Sequence, residues 1–65
     1  SMVIVIIKAE GDKTQYILNT DGRKYRLGSL EHRNALNRLD RVGGVRIEYR
    51  ELPAADVAAI PDEHA

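Results

Sequence analysis

Met2–Ala9 reads MVIVIIKA, and its first six residues are apolar without a break. In a β-strand, neighbouring side chains emerge on opposite faces, so this run presents hydrophobic groups to both sides of any sheet it joins. A strand of that kind needs two covers. One helix can supply the first. The second has to come from the chain's own C-terminal end or from another molecule.

Working outward, residues 10–14 (EGDKT) form a polar break containing a glycine, the spacing of a hairpin loop. The next apolar run, QYILNT, leads into Asp21-Gly22, a dipeptide that favours a tight type I′ turn with two positive φ values. A second hairpin therefore follows. Its returning strand, RKYRLG, alternates cationic and apolar residues and suits a sheet edge, where charge discourages further pairing.

A helix is predicted from Ser29, whose hydroxyl can cap the first turn beside Glu31, to the Gly43-Gly44 pair. At 100° per residue His32, Ala35, Leu36, Leu39 and Val42 share one arc, and Leu30 projects from the polar side. The last strand, VRIEYREL, alternates strictly, with Val45, Ile47 and Tyr49 on one side and Arg46, Glu48 and Arg50 on the other. On this pattern Val3, Val5, Ile7, Tyr16, Leu18, Tyr25, Leu27, Val45, Ile47 and Tyr49 face the helix. Met2, Ile4, Ile6 and Ile17 form an apolar island on the opposite face, ringed by Lys8, Lys24, Arg26, Arg46 and Arg50.

Connection rules turn these elements into an α+β fold, a four-stranded mixed sheet of βββαβ sequence. Two hairpins make strands one and three parallel, and a right-handed helical crossover places the final strand beside the first, giving the order 3-2-1-4. The alternative order 1-2-3-4 would leave MVIVIIKA as an exposed, aggregation-prone edge. Residues 2–52 are thus expected to form a single domain. Residues 53–65 follow as an acidic, alanine-rich tail, with Pro53 suited to the first turn of a short helical segment through Val57 that ends before Pro61.

Composition narrows the function. A chain of 65 residues buries only about 60% of its unfolded surface, which leaves stability marginal without a staple or an oligomer. With no cysteine there is no disulfide and no thiol chemistry, and a reducing, cytoplasmic setting is expected. Six apolar residues are too few to span a bilayer, so no membrane role is expected. The net charge is zero, but residues 23–50 hold eight lysines and arginines against three acids, and residues 51–65 hold four acids and no lysine or arginine.

The pattern offers no chemistry. His32 and His64 are the two imidazoles and have no metal-site spacing, Ser29 lacks a base and an orienting acid, and the paired glycines end a helix where a phosphate loop would have to begin one. No enzyme, metal or cofactor is expected. The preferred function is a small protein-interaction module of adaptor, accessory or inhibitor type that forms a homodimer through the apolar island. Ile4, Ile6 and Ile17 lie at the centre of that surface, and Leu52, Val57 and Ile60 contribute from the tail. A separate protein partner is compatible with this reading. The alternative is nucleic-acid backbone binding by the basic stretch 23–50, with Lys24, Arg26, Arg46 and Arg50 on one sheet face and Arg33, Arg38 and Arg41 on the helix, disfavoured because these charges divide between opposite sides of the domain and lack an aromatic platform.

Overall fold

The computed structural model of the chain describes residues 2–64. Strands β1 (Met2–Ala9), β2 (Gln15–Leu18) and β3 (Lys24–Arg26) are followed by helix α1 (Leu30–Val42), strand β4 (Val45–Leu52) and the short helix α2 (Ala54–Ala59). The sheet has the order β3-β2-β1-β4, with β1 antiparallel to β2, β2 antiparallel to β3, and β1 parallel to β4. This is the α+β arrangement that hairpin spacing and crossover handedness require.

Local chemistry sets the element ends. The Ser29 hydroxyl accepts from the His32 backbone N–H at 3.1 Å, and α1 stops where Gly43 and Gly44 take positive φ values that a side chain would strain. The β2–β3 turn differs from the expected type I′ form. Asp21 does not adopt a positive φ; Gly22 does, at 82°, and donates its N–H to Asn19 O at 3.0 Å while Asn19 donates to Arg23 O at 2.9 Å. The result is a longer hairpin loop closed by a left-handed glycine. Asp21 braces it by accepting from the Arg23 backbone N–H and from the Tyr25 hydroxyl, each at 2.9 Å.

The two sheet faces differ from the sequence expectation by one step of the pleat. Ile4 lies opposite Ile47, and Ile6 lies opposite both Tyr49 and Ile17, which in turn lies opposite Tyr25. Met2, Ile4, Ile6 and Ile17 therefore share a face with Val45, Ile47 and Tyr49, beneath α1. The island expected opposite the helix is the helix's own floor. Val3, Val5 and Ile7 take the other face with Tyr16 and Leu18. Because β1 is apolar on both sides, its own pattern cannot choose a face, and one step of register exchanges them.

The second face is covered from within. Residues 53–62 fold back so that α2 packs on β1, burying Val57 to 5% exposure above a face on which Ile7 is fully enclosed. Full burial of one such aliphatic side chain contributes about 1.5 to 3 kcal/mol, a large share for a chain of this size. Beyond α2 the chain runs beside β3, where Lys24 N–H donates to Pro61 O at 2.9 Å and Lys24 and Asp62 form a parallel bridge. The expected tail is thus a structural cover for the edge strand as well as for the sheet face.

Candidate interaction surface

Lys24 holds the C-terminal cover in place. It lies opposite Leu18, on the face that α2 covers, and is only 7% exposed. Its ammonium donates to Val57 O and Ile60 O, both at 2.8 Å, lies 3.7 Å from the Asp62 carboxylate, and sits 5.3 Å from the centre of the Tyr16 ring. The carbonyls at the end of α2 carry partial negative charge, and although Val57 O also accepts the Ile60 N–H at 3.2 Å, a buried cation there is both neutralised and hydrogen bonded. Arg23 adds a bond from Nη1 to Asp62 O at 3.0 Å. In the sequence Lys24 is one of several edge-strand cations, and only the spatial return of the tail singles it out.

The other residues expected to bind nucleic acid do not converge. Register places Arg26, Arg46 and Arg50 on the same face as Lys24, but Arg26 is on one edge strand and Arg46 on the other. Three strand spacings separate those edges, about 14 Å. Arg50 pairs with Glu48 at 3.2 Å. With Lys24 turned inward, no continuous basic track joins the four.

The residues expected to meet a second copy also divide. Ile4, Ile6 and Ile17 lie under α1, with Ile6 2% exposed, whereas Leu52 lies opposite Ala9 on the other face, with Val57 and Ile60 in the cover above it. Ile6 and Val57 are satisfied within one chain. The apolar surface left outside is different: Met2, Val3, Leu30, Leu39, Val42 and Tyr49 are exposed, Val42 at 79% and Tyr49 at 62%. They belong to α1 and to the β1–β4 half of the sheet. Since β2 pairs only with Val5–Lys8, the first residues of β1 extend past it with β4 as their neighbour.

Helix α1 explains part of this exposure. None of its residues is buried; Ala35 and Leu36 are half-buried, and His32, expected on the inward arc, is exposed. An open cleft of about 490 Å³ lies between α1 and β2–β3, with Ile17, Leu36 and Leu39 as apolar lining and Tyr25, His32 and Glu63 as polar lining. Arg26 lines it as well. Among the described residues no three histidine, aspartate or glutamate side chains gather as a metal-binding set, and no helix is long and apolar enough to cross a membrane.

The perturbed acids are structural in position. Asp21 is held below the usual carboxylate range chiefly by the Arg23 backbone N–H, with help from the Tyr25 hydroxyl, and Asp12 is lowered chiefly by the Thr14 backbone N–H. Both sit in exposed hairpin loops.

The remaining feature is an uncovered edge. Among the described residues, β4 is eight residues long and has one strand neighbour, β1. Met2 N–H donates to Gly44 O at one end of that ladder, and Glu10 N–H donates to Leu52 O at the other. Parallel pairing alternates along a strand, so the even-numbered backbone groups of β4 face β1, and those of Val45, Ile47, Tyr49 and Glu51 face outward. Compared with protein-family models, curated proteins and solved structures, the chain matches none.

Proposed function

We propose that this chain is a small, non-enzymatic protein-interaction module of adaptor, accessory or inhibitor type that self-associates. The observation that carries the reading is the eight-residue free edge of β4 beside the exposed side chains of Met2, Val42 and Tyr49. An uncovered strand edge next to apolar surface is a template for pairing, and monomeric proteins blunt such edges. The β3 edge has a cover in Pro61 and Asp62. A cytoplasmic setting belongs to the same proposal, supported by the absence of cysteine.

Sedimentation equilibrium over a dilution series tests this reading. A concentration-dependent rise to at least twice the chain mass is expected, and a monomer persisting to millimolar concentration would refute it. Titration with labelled DNA and RNA at physiological salt supplies the contrasting arm. Weak, sequence-independent binding is expected, whereas submicromolar binding with a preferred sequence would transfer the function to nucleic acid.

A further inference from the structure

Resting on the self-association reading, we infer that the partner is a second copy of this chain, joined edge to edge through antiparallel β4 strands about a two-fold axis at Ile47. The outward backbone groups of Val45, Ile47, Tyr49 and Glu51 limit the registers to those that oppose odd-numbered residues with odd-numbered residues. With the axis at Ile47, that residue meets its own counterpart, Val45 meets Tyr49, and Arg46 meets Glu48 on both sides of the axis. Within the stretch that pairs, Val45–Tyr49, every cross-strand pair is apolar with apolar or cation with anion, and Arg50, Glu51 and Leu52 run past the partner's strand. The ladder would contain about six backbone hydrogen bonds.

Neighbouring registers lack this match. With Glu48 on the axis, Glu48 faces Glu48, Arg46 faces Arg50 on both sides of it, and Val45 faces Glu51. With Tyr49 on the axis, Glu48 faces Arg50, but Ile47 faces Glu51 and Arg46 faces Leu52, so four of the seven pairs set an apolar side chain against a charge. Charge complementarity therefore selects both the occupant and its alignment. Closure follows from the other end of the sheet: Lys24 N–H is already bonded to Pro61 O at 2.9 Å, so the outer side of β3 is shielded from strand addition. A β4–β4 pair accordingly ends as an eight-stranded dimer and not as a growing fibre. It also places the exposed Tyr49 of each copy beside Val45 of the other.

The test is a charge swap read by sedimentation, with circular dichroism to verify folding. Arg46→Glu alone and Glu48→Arg alone each set like charges across both pairs and should weaken self-association by about tenfold or more. Mixing the two variants restores both opposite-charge pairs, and the mixture should associate like the original chain. A second measurement does not depend on charge. Because the chain has no cysteine, Ile47→Cys introduces a single thiol, and a hydrogen-bonded antiparallel pair brings the two α-carbons to about 5.5 Å, within disulfide range. Mild oxidation should link Ile47→Cys chains as dimers much faster than Thr20→Cys chains. If the original chain associates but mixing restores nothing and the two cysteine variants link at equal rates, the edge pairing is wrong while self-association stands. If the original chain is monomeric at all concentrations and Ile47→Cys links no faster than Thr20→Cys, both fail.

Discussion

Replacing Lys24 by methionine removes the ammonium but keeps most of the aliphatic stem, and so isolates the polar contribution of the cover's anchor. Ile60 O loses its donor at 2.8 Å, Val57 O loses one of two donors and keeps the Ile60 N–H at 3.2 Å, and Asp62 loses the ammonium 3.7 Å from its carboxylate. A hydrogen bond to a charged group contributes about 1.5 to 3 kcal/mol, and a buried acceptor left unpaired costs about 1 to 3 kcal/mol. An opposing term exists: the buried ammonium forfeits its hydration, which methionine does not require, so simple addition overstates the loss. A net destabilisation of about 2 to 3 kcal/mol is expected for Lys24→Met, a large part of the roughly 5 kcal/mol available to a marginal domain. The assay is urea unfolding followed by circular dichroism, repeated in a chain truncated after Leu52. In the truncated chain the carbonyls are gone, so Lys24→Met should be close to neutral. The strong non-additivity between substitution and truncation is the signature of the anchor. If Lys24→Met costs less than about 0.5 kcal/mol in the full chain, or the same in both backgrounds, the ammonium does not hold the C-terminal cover.

Three further outcomes are expected. Val57→Ala removes two buried methyl groups and should destabilise by about 1 to 2 kcal/mol in the same urea assay, whereas Leu30→Ser, at a site 72% exposed, should change stability by less than about 0.5 kcal/mol. Gly22→Ala should lower stability by about 1 kcal/mol although no atom lies within 4 Å of the added methyl, because φ there is +82°; an unchanged melting temperature would count against the left-handed turn. Asp21 and Asp12 have folded pKa values below the 3.8 of the free group, so their stabilisation is fully present above that range and is lost as pH falls through the lowered folded values. Asp21→Asn should therefore flatten the acid limb of a stability–pH curve below about pH 4, and an unaltered limb would contradict the assignment.

Much of the architecture follows from local signals that stay the same in any context. Polar breaks with glycine mark the hairpins, Ser29 and the Gly43-Gly44 pair bound α1, and strict alternation identifies β4. Strand order follows as well, because hairpin and crossover rules leave few places for the most hydrophobic strand. Which face of that strand meets the helix was not legible. Met2–Ala9 is apolar on both sides, so the choice came from its alignment with Ile47 and Tyr49 of β4 and with Ile17 of β2. Those partners are far away in the chain.

The candidate surface was less legible than the fold. A free apolar island, an acidic tail that contributes to it and four surface cations each agree with composition, but in three dimensions the tail lies on the sheet, Val57 is buried, and Lys24 points inward at the end of α2. Sequence by itself determined the elements, their order and the need for a second cover, since these depend on near-neighbour chemistry and the period of hydrophobic residues. Only the tertiary structure decided that the C-terminal segment supplies that cover and that β4, in place of β3, keeps an open edge. Burial and edge exposure are set by which distant segments meet, and no local pattern carries that information.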